Sequence, residues 1–348
     1  MKDQARSKLQ SSYYTRLPKV DLHRHLEGSL RVQSLIEIAR TYGITLPLRP
    51  SLKALIQVQP DDPLTFTSFL SKFQTLRMFY LSPQIISRLT FEAIQDAATD
   101  RVRYLELRFT PVALSRLKNF RLGDVMDWVC VSAWQASQAN GITTRLIASV
   151  NRHEDPELAR QVIDLAISRK ANGIIGVDLA GNEAEYSAEP FREILKKAKD
   201  NGLSLSVHAG EWGGAENVRH AIEELGADRI AHGVRVLEDE RVTALACQRG
   251  VVFEVCPTSN YHTGVFSDLS QHTLKRMLDA GLKVTINTDD PGISNITLSD
   301  EYEIACTKLG LSHQELIQTI FTAVEASFQT PEEKKTLTER LKKEIQAI

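Results

Sequence analysis

The chain has 348 residues, 42% hydrophobic and 25% charged, a globular balance that excludes a disordered or membrane-embedded polypeptide. Its 42 basic and 44 acidic residues leave a formal charge of −2, which argues against a nucleic-acid partner and favours a small molecule. Cys130, Cys247, Cys256 and Cys306 include no C-x-x-C pair, so neither a disulfide framework nor a thiolate zinc knuckle is expected.

Residues 1–16 form a polar N-terminal extension without an apolar h-region, and no stretch reaches the length of a membrane span. A cytosolic protein is expected, with one domain over 17–348. Short runs of aliphatic and β-branched residues then recur, separated by longer stretches with helical periodicity. The expected strands are Lys19–Arg24, Val102–Phe109, Thr144–Asn151, Ile174–Leu179, Leu203–Val207, Arg229–Ala231, Val251–Val255 and Lys283–Asn287. Eight such units make a single (β/α)8 TIM barrel. Helices are expected over Glu157–Lys170, Pro190–Asp200, Ala215–Leu225, Asp239–Arg249 and Asp268–Ala280, each ending near Gly or Asn. Extra helices must fill the long gap from His25 to Arg101 and the segment after Asp300, where Pro331–Ile348 reads as a solvated helical face.

Taken along the chain, chemically capable residues gather where strands end. The first strand leads into His23-Arg24-His25, and residues two apart on a strand share a face. In the gap that follows, Phe66, Phe69, Leu70 and Phe73 form a helical stripe that is either core or a lid excluding water. The fifth strand runs into His208-Ala209-Gly210-Glu211, the sixth into His232-Gly233 and the eighth into Asp289-Asp290-Pro291. Singly, each has an ordinary structural explanation, such as a helix N-cap for the aspartates or a buried hydrogen bond for His232. Jointly they lie on the face where barrel enzymes place catalysis.

Three histidines and a carboxylate suit Zn²⁺, with water completing the shell and its pKa lowered to about 7. Glu211, His232 and Asp290 then remain for acid, base and orienting roles. His25-Leu26-Glu27 imitates half of the cytidine-type signature, but no P-C-x-x-C accompanies it. No Walker loop, G-x-G-x-x-G or G-x-S-x-G motif appears.

These residues resemble the adenosine deaminase group of the amidohydrolase superfamily. The resemblance lies in KVDLHRHLEGSL at 19–30, DLAGNE at 178–183, SVHAGEWGG at 206–214, RIAHGVRVLED at 229–239, EVCPTSNYHTG at 254–264 and INTDDPGI at 286–293. It implies one Zn²⁺ per chain held by His23, His25, His208 and Asp289, with Asp289 also counted among the catalytic residues. Glu211 is then similar to the acid that protonates purine N1, and His232 to the residue that orients or deprotonates the attacking water. Asp290 would meet N7 and the Gly181 amide N3, with His25, Phe69 and Phe73 also against the substrate. Strands three and four contain no lysine that could bridge a second metal.

The pattern departs at Glu27, where members acting on adenosine carry Asp against the ribose 5′-hydroxyl and adenine or aminodeoxyfutalosine deaminases carry Glu. HAGEWGG and the segment INTDDPGISNITLSDEYEIA point to adenosine and 2′-deoxyadenosine. A non-catalytic metal- or ligand-binding homologue would have no reason to retain Glu211, His232 and Asp290 together.

Overall fold

The computed structural model describes residues 13–46 and 50–348, so residues 1–12 of the expected extension lie outside the described residues. Among the described residues eight strands form one sheet in sequence order: β1 Lys19–His25, β2 Val102–Phe109, β3 Thr143–Asn151, β4 Ile174–Ala180, β5 Ser204–Ala209, β6 Arg229–His232, β7 Val252–Val255 and β8 Lys283–Ile286. Each pairs in parallel with the next. The first and last meet through a single parallel bridge, Arg24 to Asp289. There the His25 amide donates to the Asp289 carbonyl at 2.8 Å, and the Asp289 amide to the His23 carbonyl at 2.8 Å. The expected (β/α)8 barrel is present, with helices in its crossovers.

Parallel strands are covered on both faces, so their aliphatic residues are buried on either side of the sheet. Leu22, Leu105, Val177, Leu205, Ile230 and Phe253 are fully buried. The barrel also encloses a layer of charge: Arg108 and Arg229 both bond the Glu254 carboxylate, at 2.6 and 2.5 Å, and Arg229 also pairs with Glu106. Buried ions are costly unless paired and hydrogen-bonded, and here each carboxylate has several donors. Tyr104 donates to Glu106 Oε1 at 2.8 Å, as does the Phe328 amide at 2.7 Å.

The long insertion after β1 holds helices Val32–Tyr42, Leu52–Ile56, Phe66–Leu76 and Pro83–Thr99, the last three capped by Ser51, Thr65 and Ser82. At the C-terminus, helices His313–Ala326 and Pro331–Gln346 each begin with a capping box. The terminal stretch is only partly the solvated face expected, because Leu337 and Leu341 are buried. Asp268–Ala280 is not one helix: a 3₁₀ turn, Leu269–Gln271, precedes Leu274–Asp279, because the His272 ring takes the Leu274 amide at 3.0 Å and interrupts the helical ladder. Pro190 falls in a separate 3₁₀ turn, so that helix begins at Arg192. Among the described residues no helix is long and apolar enough to cross a membrane.

Candidate active site

The C-terminal ends of the strands open into a cavity of about 420 Å³ lined by His25, Glu27, His208, Glu211, His232, Asp289 and Asp290, with Phe69, Phe73 and Gly181 also on its wall. A larger hollow of about 970 Å³ between helices Leu122–Asn140 and Pro331–Gln346 is lined by no histidine, so volume alone does not identify the site. Strand alternation aims His23 and His25 to one side of β1. One ring nitrogen each from His23, His25 and His208 lies within 4.8 Å of the others. Asp289 Oδ1 is 3.1 Å from His23 Nε2 and 3.4 Å from His25 Nε2. Asp289 and His232 both adopt left-handed backbone, φ 59° and 62°, which non-glycine residues rarely hold without surrounding constraint.

Buried carboxylates fix these rings. His23 Nδ1 donates to Glu254 at 3.0 Å and His208 Nδ1 to Asp178 at 2.9 Å, which frees both Nε2 atoms for another partner. His23 Nε2 is buried without a hydrogen-bond partner, as a metal-facing nitrogen would be. Ser259 donates to Asp289 Oδ2 at 2.6 Å. The four-residue set His23, His25, His208 and Asp289 therefore fits one metal ion of the borderline class that accepts nitrogen and oxygen ligands.

Glu211 follows a turn that needs its glycine: Gly210 has φ +74°, and a Cβ there would come within 2.4 Å of Val218. The turn is held by Glu183, whose carboxylate accepts the amides of Gly210, Glu211 and Trp212 at 2.8, 2.7 and 2.9 Å. Burial pushes the Glu211 carboxyl well above the usual range, and the charges of Asp289 and Glu183 push it further. Burial and neighbouring Asp289 raise Asp290 in the same direction. Burial opposes the charge on Asp289 too, but the surrounding histidines hold that carboxyl well below its ordinary value. His232, 3.5 Å from Glu211 Oε2 and 4.0 Å from Asp289 Oδ2, is kept neutral chiefly by burial.

Asp290 stands at the start of helix Pro291–Ser294 but its side chain makes no capping bond, and its Oδ1 is buried without a partner. A side chain at Gly28 would overlap that carboxylate, with a Cβ 1.7 Å from Oδ1. Glu27 reaches the cavity from a turn, not from a continued strand: β1 stops at His25, and the Ser29 amide closes back on the Leu26 carbonyl. Its Oε1 accepts the Thr110 amide at 2.7 Å, its Oε2 is buried and unpartnered, and burial raises its carboxyl to about 7. The aromatic stripe divides, with Phe69 in the core, Phe73 half-buried, Leu70 exposed and Phe66 meeting the Trp212 ring edge-on.

Sequence reasoning did not single out Glu254, Asp178, Glu183, Ser259 or Asn260. The signal that could have found them is a polar residue inside or just beyond an apolar run: Asp178 and Glu254 within β4 and β7, and Glu183, Ser259 and Asn260 shortly after those strands end, as in VDLAGNE and FEVCPTSN.

The comparisons with known proteins agree with this geometry. The family model described as adenosine deaminase matches residues 18–344. An adenosine deaminase of Shigella flexneri is 34% identical over 330 residues, covering 94% of this chain and 98% of the relative. Among solved structures, an amidohydrolase from Burkholderia ambifaria with bound Zn superposes with a TM-score of 0.88 at 25% identity, covering 97% of this chain and 93% of the other. An adenine deaminase of Arthrobacter aurescens gives 0.87 at 26%, covering 95% and 99%. Barrel, histidine–aspartate cluster and near full-length match coincide, and the chain belongs to the adenosine deaminase family.

Proposed function

We propose that the protein hydrolyses adenosine and 2′-deoxyadenosine to inosine, or deoxyinosine, and ammonia in the cytosol, with residues 17–348 as the working domain. One zinc ion held by His23, His25, His208 and Asp289 serves the reaction. The observation that carries this reading is the convergence of those four side chains with a buried Glu211 beside them, whose carboxyl is pushed well above the usual range by burial. When bound, zinc supplies hydroxide at neutral pH by lowering the pKa of water to about 7.

Addition at C6 breaks the aromaticity of the ring and drives electron density onto N1. Glu211, protonated by burial, donates its proton there and so stabilises the developing charge; as the adduct collapses to the C6 carbonyl, the C6–N6 bond breaks and the proton of the added oxygen leaves with the amino group as ammonia. Purine N7 is an acceptor, and an Asp290 kept protonated by burial can donate to it. The Gly181 amide offers a donor for N3, and His232 holds the incoming oxygen. Phe69 and Phe73 close apolar surface over the base and exclude competing water.

Ammonia release from adenosine, deoxyadenosine, adenine and aminodeoxyfutalosine tests the assignment, with the two nucleosides expected to react fastest. The second reading, an adenine deaminase, is favoured by the glutamate at position 27 and by the Arthrobacter neighbour. Adenine as the fastest substrate would establish it in place of the first.

A further inference from the structure

His272 lies outside the cavity, immediately after the 3₁₀ turn Leu269–Gln271 between β7 and β8, and it is buried. It nevertheless ends a chain of hydrogen bonds that leads to both Glu211 and His232. The Leu274 backbone amide donates to His272 Nδ1 at 3.0 Å. A backbone N–H can only donate, so Nδ1 must carry a lone pair and the ring proton must sit on Nε2. That Nε2 is 3.3 Å from Asn260 Oδ1, and the bond settles which end of the Asn260 amide is the oxygen. The Asn260 nitrogen therefore faces the other way, 2.9 Å from Glu211 Oε1 and 3.2 Å from His232 Nδ1. Both of those atoms are then acceptors.

We infer that His272 is a positioning residue which, acting through Asn260, fixes His232 in the tautomer protonated at Nε2 and confines the acidic proton of Glu211 to Oε2. Each direction follows from the preceding one, and the whole chain is anchored on an amide that has no alternative. Burial holds the His272 ring neutral, down to about 3, so the relay is not reversed by protonation in the working range. Of the two roles open to His232, orientation or proton abstraction, the fixed tautomer selects the first: an Nε2–H donates to an oxygen and cannot remove a proton from it. Glu211 Oε2, 3.5 Å from that Nε2, remains the atom that gives a proton to the ring.

The inference rests on the roles proposed for Glu211 and His232, but its direct test is spectroscopic. In zinc-loaded protein with ¹⁵N-labelled histidine, the His232 imidazole shifts should show a proton on Nε2 and none on Nδ1. A proton on Nδ1 overturns the relay, and this measurement needs no variant that could misfold. His272→Leu removes the donor to Asn260, lets its amide turn, and should shift His232 towards the Nδ1–H form. It should lower kcat for adenosine ~10–100-fold while KM moves much less, the scale on which loss of a supporting hydrogen bond acts at such sites. His272→Gln, which can still donate at the same place, should recover most of that loss. Unchanged tautomer and kcat in His272→Leu would overturn the inference. Wild-type protein inert towards every purine, yet with the expected tautomer lost in His272→Leu, would uphold the relay and defeat the functional reading.

Discussion

At the scale of single residues, the site separates its carboxyl groups by environment. Asp289 is held charged by the histidines around it, whereas Glu211 and Asp290, within the same cavity, are held neutral mainly by burial. Groups pushed apart in this way can serve as ligand and as acid at one pH. Glu211→Gln retains the shape and the bond from Asn260 but has no proton to give, so kcat should fall by ~10²–10⁴ with one equivalent of zinc still bound. Steady-state kinetics beside metal analysis check this, and loss of zinc in the variant would make Glu211 a ligand instead. Glu27 leaves one buried oxygen unpartnered, which suits a ligand hydroxyl. A site built for a hydroxyl can reject an analogue lacking it by ~10⁴ or more. Adenosine should therefore exceed adenine in kcat/KM by a large factor. Glu27→Ala should narrow the gap by harming adenosine, which parallel kinetics on both substrates would measure.

At the scale of elements, the short helix Pro257–His262 after β7 delivers Ser259 to Asp289 and Asn260 to Glu211, and a more distant helix steadies it. Its Thr258 amide donates at 3.0 Å to Glu301, which lies in helix Leu298–Thr307. Burial raises the Glu301 carboxyl to about 8. A raised acid contributes stability that is complete below its unfolded value, near 4.5, and is lost as pH climbs through 8. Between those limits unfolding free energy should decline by up to about 1.4 kcal/mol per pH unit from this group, and Glu301→Gln should flatten the slope. Denaturant titrations from pH 5 to 9 decide it.

The same elements show what could be read in advance. All eight strands were legible because each is a short run containing aliphatic and β-branched residues set between longer stretches of helical periodicity, and their ends shifted only by a residue or two. The break at His272 was not, because a ring accepting a backbone amide leaves no trace in hydrophobic periodicity. That the candidate set would gather at one cavity was legible because strand ends mark the barrel mouth. Their supports, Glu254, Asp178 and Glu183, depend on partners far along the chain, so a polar residue within or just beyond an apolar run marks their places but not their roles.

At the scale of the whole molecule, the metal cluster straddles the line where the first strand meets the last. His23 and His25 come from β1, while Asp289 follows β8, and these strands share one bridge instead of a full ladder. Removing the metal should therefore loosen this line before the remainder of the barrel. Chelated protein is expected to melt at a lower temperature and to exchange amide hydrogens faster in β1 and β8 than in β3 and β4; uniform exchange would refute the idea.

The join also has a meaning for how the protein is made. Arg24 and Thr288, which bond across it, are 264 positions apart. A nascent chain displays its two leading histidines early, at synthesis rates of about 5–20 residues per second, long before the aspartate that completes their shell has been translated. A product ending before β8 has the three candidate histidines but lacks Asp289, so it could not assemble the proposed four-ligand centre. A complete four-ligand shell would thus mark only that synthesis had passed β8, with the helices Leu298–Thr307, His313–Ala326 and Pro331–Gln346 still to follow.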